Sequence, residues 1–162
     1  MANRRPKQKS EYGRQLDEKQ ELKATYALRE RQFRKFFRAG SDPELIYRML
    51  ELRVDNVVYR AGFASTIRAA RQIVSHGHIL INGKKTDIPS VAIKLNDVIS
   101  FHSSSVKKIP FQDLVVQLKK YEPPPWITLN MEDLSAKITA LPVSADSMTI
   151  NRIKPVIGFY SR

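Results

Sequence analysis

Apolar residues recur along this chain first at helical spacing and then at strand spacing, and the period changes at Gly77. Between Tyr12 and Arg38, Leu22, Tyr26, Phe33 and Phe37 fall on one helical face while Lys23, Arg31, Arg34, Lys35 and Arg38 lie mostly elsewhere. This predicts one or two short helices that stop at Ala39-Gly40, where glycine suits the residue after a helix end. Ser41-Asp42-Pro43 opens the next helix, with a capping side chain ahead of a first-turn proline. Its stripe, Ile46, Leu50, Val54, Val57 and Ala61, predicts one continuous helix ending at Gly62. Ser65 is placed to cap a third, from Thr66 to about Ser75, burying Ile67, Ala70 and Val74.

Beyond Gly77, His78-Ile79-Leu80-Ile81, then Asn82-Gly83, then Lys84 to Ile88 reads as a β-hairpin. Asn-Gly is the strongest short hairpin signal because both central residues must accept positive φ. Val91 to Lys94 and Val98 to His102, around a turn at Leu95-Asn96-Asp97, predict another strand pair, and Ser103-Ser104-Ser105 a loop. Phe111 to Tyr121 fits either a helix or a strand with a helix. Pro123-Pro124-Pro125 is a stiff connector, and Trp126 to Leu129 a strand. A helix is expected from Asn130, with Leu134, Ile138 and Leu141 as its stripe and Pro142 as its stop. The stretch to Arg162 has no period of its own.

Charge changes the picture. The chain has 162 residues, a hydrophobic fraction of 42% and a net charge of +12. That excess predicts a polyanionic partner, either nucleic acid or an acidic membrane surface. No apolar run approaches the roughly 18 residues that span a bilayer, and the polar, basic start resembles no secretory signal. With no cysteine, disulfides, thiolate metal sites and a cysteine nucleophile drop out together. These features predict an intracellular protein without a membrane partner. Residues 1–40 hold 12 Lys and Arg against 5 Asp and Glu, so a basic arm precedes a more balanced body.

The same positions suggest the chemistry. Arg53, Asn56 and Arg60 are three and four residues apart, and Arg68, Arg71, Gln72 and Ser75 repeat that spacing on the next helix. If the two helices pack through their stripes, these polar faces point outward. From Arg60 to Lys85 the chain has no Asp or Glu, which favours an anion-binding face over a solvated, salt-bridged one. His76 and His78 lack the further ligands of a metal site; beside arginines they can stack on a base or donate to phosphate. Lys84 and Lys85 stand at the expected hairpin tip as phosphate contacts, lysine as a mobile point charge and arginine as a bidentate grip. Tyr26, Phe33, Phe36, Phe37 and Trp126 read as core, Asp55 as a capping or ion-pair residue and Asp97 as a turn residue. No nucleophile elbow, phosphate-cradling glycine loop or zinc set is present, so neither an enzyme, a cofactor nor a small-molecule substrate is expected.

Several segments carry a resemblance: SEYGRQLDEKQ from Ser10, RERQFRKFF from Arg29, LRVDNVVYRAGFAS from Leu52, ARQIVSHGHILINGKK from Ala70, Ile88-Pro89-Ser90, and the closing Phe159-Tyr160-Ser161-Arg162. Together they resemble the ribosomal protein four family of the small subunit, in its bacterial and organellar branch. The resemblance implies an α+β fold. A helical domain at 12–42 is completed by the tail 148–162, behind a basic extension at 1–11. An α/β RNA-binding domain follows at 43–147, two helices on a small, mainly antiparallel sheet, with its core module at 50–110.

The resemblance also implies a primary binder of small-subunit ribosomal RNA, docked at a junction of helices in the 5′ domain and acting early in assembly and in translation fidelity. It implies a place beside the neighbouring protein five and near the channel through which messenger RNA enters, on a cytoplasmic (bacterial) or organellar ribosome. The RNA-binding candidates are then Arg4, Arg5, Lys7, Lys9, Tyr12, Arg14, Lys23, Arg31, Arg34, Lys35 and Arg38 in the first part. In the second they are Arg53, Asn56, Arg60, Arg68, Arg71, Gln72, Ser75, His76, His78, Asn82, Lys84 and Lys85.

Three departures accompany the resemblance: a shorter start than the family's, a shorter connection between Phe37 and Leu45, and Asp17 where a basic residue is common. Two other readings use the same module, a free RNA chaperone and a piece of an RNA-modifying enzyme or tRNA synthetase. The matches at Ser10–Phe37 and at the C-terminus separate the ribosomal reading from both.

Overall fold

A turn of helix must satisfy its first backbone N–H groups, and four side chains do so here. Ser10 Oγ accepts from Gly13 N at 3.2 Å, Gln32 Oε1 from Arg29 N at 3.3 Å, Asp42 Oδ1 from Glu44 N at 3.1 Å and Thr66 Oγ1 from Ala69 N at 3.0 Å. Each such cap is worth about 1 kcal/mol. They open α1 (Glu11–Thr25), α2 (Glu30–Arg38), α3 (Pro43–Glu51) and α5 (Ile67–Ser75) in a computed structural model that describes residues 7–108, 111–144 and 147–162. Thr66 rather than Ser65 is therefore the cap of α5.

The chain divides into two units, with boundaries after Tyr47 and after Val143. The first joins the two ends of the chain. It contains α1, α2, the start of α3 and α8 (Ser147–Tyr160), the last being the segment without a readable period. Leu22, Tyr26, Phe33, Ile46, Ile153 and Val156 are among its buried side chains. Phe33, Phe37 and Tyr160 form an aromatic group with centroids 4.9–6.4 Å apart. Arg152 of α8 reaches Glu21 of α1 at 3.7 Å.

The second unit is continuous. It contains the end of α3, α4 (Val54–Arg60), α5, α6 (Ser103–Val106) and α7 (Phe111–Lys119), with β1 (Ile79–Ile81), β2 (Lys84–Thr86), β3 (Val98–Phe101), β4 (Ile127–Asn130) and β5 (Ser135–Ile138). The strands form one antiparallel sheet in the order β2-β1-β3-β5-β4. Val57, Val58, Ala61, Ala70 and Val74 from the helices are buried in one core with Ile79, Ile99, Phe101, Ala136 and Ile138 from the sheet. The mixed fold is thus α+β, as the resemblance implies.

Four local expectations are corrected. The stripe from Ile46 to Ala61 is buried throughout but lies on two helices. The segment 88–94 folds back and takes the backbone groups a continuous helix would need. Val54 N donates to Val91 O at 2.9 Å, Ile93 N to Leu52 O at 2.7 Å, and Arg53 bridges Ala92. For the same reason Val91–Lys94 does not pair with β3, whose neighbours are β1 and β5. The helix expected from Asn130 is instead a turn and strand β5. Asn130 Oδ1 holds Glu132 N at 2.9 Å, and Leu134, Ala136 and Ile138 are buried at strand spacing while Lys137 is exposed. Ser103–Ser105 is helical rather than loop. The two readings of Phe111–Tyr121 resolve to the helix α7.

Candidate nucleic-acid interface

In the second unit the polar residues of α4 do not face outward. Arg53 is 6% exposed, Asp55 0% and Asn56 1%. Arg53 Nε and Nη2 donate to the two Asp55 oxygens at 3.1 and 3.0 Å, and Arg71 Nε donates to Asp55 Oδ2 at 2.9 Å. Asp55 Oδ1 also accepts Asn56 N at 2.8 Å. Asn56 Nδ2 donates to Glu51 O at 2.9 Å and to Glu51 Oε2 at 3.1 Å, and Arg60 grips the buried Glu51 carboxylate through Nε and Nη2 at 3.0 and 3.1 Å. Two carboxylates thus pair with three arginines. The expected outward face fails for Arg53 and Asn56, and the charges of Arg60 and Arg71, both partly buried, are spent on internal partners. Buried carboxylates need this number of donors, because an unpaired buried charge costs several kcal/mol.

What stays outside is a row along α5 and the hairpin. Arg68, Gln72, Ser75, His76, Lys84 and Lys85 are all exposed, and Arg68, Gln72 and Ser75 fall four and three residues apart on one helix face. Ser75 Oγ donates back to Gln72 O at 3.1 Å. At the end of α5, Gly77 takes φ +75°, and a Cβ there would lie 2.5 Å from Lys85 Cε. The lysine stem therefore lies across the helix end.

His78 is partly buried, with Nδ1 2.7 Å from Ser105 Oγ. Burial, reinforced by His76, Lys108, Lys85 and His102, pushes its pKa below the ordinary histidine value. The Asn82-Gly83 turn has both residues at positive φ. The Asn82 side chain is tied into the fold: Nδ2 donates to Asp97 Oδ1 at 2.9 Å and Oδ1 accepts Val98 N at 2.9 Å. It clips the hairpin to β3, so its role is structural. Lys107 and Lys108, just after α6, are exposed, and Lys108 joins the surroundings of His78. Sequence reading missed them, although a Lys-Lys pair after a serine run was the available signal.

In the first unit Arg4 and Arg5 lie outside the described residues, while Lys7, Lys9, Tyr12 and Arg14 are exposed. Lys9 pairs with Asp17, and that hydrogen bond raises the ammonium pKa. Asp17 therefore takes up a cation of this chain. Tyr12 stacks near Phe159, with Arg162 5.6 Å from its ring centre.

Lys23 is half-buried and 3.2 Å from Glu30 Oε2, which also pairs with Lys19 at 3.2 Å; Tyr160 donates to Glu30 Oε1 at 2.6 Å. Burial would raise the Glu30 carboxyl, but the bonds from Tyr160, Lys19 and Lys23 outweigh it and hold the pKa below the usual value. Arg31, Arg34, Lys35 and Arg38 are exposed and line, with Glu30, a hollow of about 420 Å³ on α2. None of these four has an ion pair among the described residues. No helix of those residues is long and apolar enough to cross a membrane.

Comparison with known proteins places the two regions in known families. Residues 52–99, which hold the exposed row and all of the buried network but Glu51, match the S4 domain family, and residues 1–57 match the ribosomal protein S4/S9 N-terminal domain family. The small ribosomal subunit protein uS4 of Chloroflexus aurantiacus is 43% identical over 98% of this chain and 80% of its own length. Its counterparts in Roseiflexus sp. and Herpetosiphon aurantiacus are each 40% identical, covering 98% and 99% of this chain and 80% of their own. With both family matches in chain order and relatives alike over nearly the whole of this chain, the chain belongs to the small ribosomal subunit protein uS4 family.

Proposed function

We propose that this chain is a structural, non-enzymatic constituent of the small ribosomal subunit that binds small-subunit ribosomal RNA. It is a primary binder of the 5′ domain, acts early in assembly and contributes to translation fidelity. It sits beside protein five and near the channel through which messenger RNA enters, ribosome-bound in a bacterial cytoplasm or an organelle. One observation carries the reading: the exposed row Arg68, Gln72, Ser75, His76, Lys84 and Lys85 in a stretch without a carboxylate. Arginine grips a phosphate with two parallel donors and lysine follows it as a point charge. A folded RNA recognised by shape offers phosphates and 2′-hydroxyls to such a row. Arg31, Arg34, Lys35 and Arg38 supply a second set of phosphate contacts from α2, and the exposed Lys7 and Arg14 of the same unit add to them.

Filter binding over a salt series tests this. If about eight phosphates are neutralised, log affinity falls against log salt with a slope of about −6 to −7. The 5′-domain RNA should bind far more tightly than an unrelated RNA of equal length. Equal affinity for the two would overturn the specific site.

A further inference from the structure

We infer that the hollow between α4 and α7 receives one unstacked nucleobase from a single-stranded or looped stretch of RNA; this rests on the RNA-binding reading above. The hollow has a volume of about 260 Å³, and its lining includes Tyr59, Arg60, Gly62, Ser65, Gln117 and Tyr121. Its walls are fixed in advance. Tyr121 OH donates to the Arg60 carbonyl at 2.8 Å. The Arg60 guanidinium, clamped by the buried Glu51, lies 5.7 Å from the Tyr59 ring centre. Gly62 has φ +83°, and a Cβ there would come within 2.6 Å of Tyr121 Cδ1. The Tyr121 ring can close the hollow only because that position is bare backbone.

The chemistry selects a base rather than a phosphate. Glu51 offsets the Arg60 charge, so the lining offers little net attraction to a dianion. Two aromatic rings and a guanidinium plane are the surfaces on which unstacked bases lie. Gln117 and Ser65, both exposed, bring an amide with donors and an acceptor and a hydroxyl that is both, which suits the edge of a base.

The test uses the full chain and a fluorescently labelled, single-stranded oligouridylate carrying one 4-thiouridine. Anisotropy reports strand binding, and ultraviolet crosslinking with peptide mapping reports where the base rests. The expected crosslink falls on the peptide of Tyr59 or of Tyr121. It is lost in Tyr121→Leu and weakened in Gln117→Ala, while strand affinity falls about tenfold in the former, the scale of one base–aromatic stack. Tyr121→Phe keeps the ring and should keep the crosslink. Gln117→Ala removes an exposed side chain, so its readout stands even if Tyr121→Leu were to disturb α7. A crosslink confined to the α5 row, or unchanged in both variants, overturns the pocket while leaving RNA binding intact. Failure of the oligouridylate to bind the wild-type chain overturns the pocket, whereas the RNA-binding reading falls only if the 5′-domain RNA fails to bind as well.

Discussion

In the structure Arg53 and Arg68 each stand at the start of a helix, and each is followed by polar residues at helical spacing. One is buried against Asp55 and the other is exposed to solvent. The difference comes from neighbouring carboxylates. Glu51 and Asp55 lie within two residues of Arg53, whereas α5 contains neither Asp nor Glu. Helical spacing places cations on a face; the nearest acid decides whether that face turns inward as framework or stays outside as a binding surface.

The comparison breaks most visibly if the buried half is cut. Asp55→Ala leaves Arg53 buried without its partner, and we expect a loss of about 3–5 kcal/mol in urea denaturation. A loss below about 1 kcal/mol would mean that the buried network holds nothing together. The exposed half should respond in the opposite way. Arg68→Ala with Lys84→Ala and Lys85→Ala should flatten the salt dependence of RNA binding by about two to three in slope. Stability should stay within about 0.5 kcal/mol of the parent.

Splitting the pair on α5 sharpens the contrast further. Arg71→Ala should cost about 1–2 kcal/mol of stability, as a lost hydrogen bond to a charged group does, and leave the salt slope nearly unchanged. Arg68→Ala should do the reverse. Like effects from the two would show that α5 has one cationic face rather than two. Equal loss of RNA binding from Lys119→Ala with Lys120→Ala would mean that general charge, and not the row, does the binding.

The smallest effect concerns His78. Its charged form is disfavoured in the folded state, first by burial and then by neighbouring cations. Its contribution is therefore fully present above the ordinary value of 6.5 and is lost as pH falls through the depressed folded-state pKa. Stability measured from pH 7.5 to 5 should decline on the acid side, and His78→Gln should make that decline shallower. An unchanged profile would remove His78 from the cation cluster.

Much of the fold was legible because its signals are local. The stripes of α4 and α5, the Asn82-Gly83 turn and the aromatic core of the first unit all follow from spacing and turn chemistry. The break in the helix at Leu52-Arg53 was not, because its cause lies some 40 residues away in the returning segment 88–94. Strand β5 was misread because Asp133 and Glu132 look like first-turn carboxylates, although Leu134, Ala136 and Ile138 already alternate. At the candidate site, the exposed row was readable from the missing acids. The burial of Arg53 and Asn56 was written beside them in Glu51 and Asp55, and pairing is a matter of distance that helical spacing alone does not settle.

The join of the two chain ends in the first unit sets a timetable for synthesis. Residues 48–143 form a continuous unit and need nothing made later to complete their sheet. Helices α1 and α2 are translated before that unit, yet the core that buries Leu22 and Phe33 is shared with Ile153 and Val156 of α8. They must wait, with those apolar faces uncovered, until α8 has been made. The helices that precede the second unit thus close after it, and a message cut short before α8 leaves the first unit open.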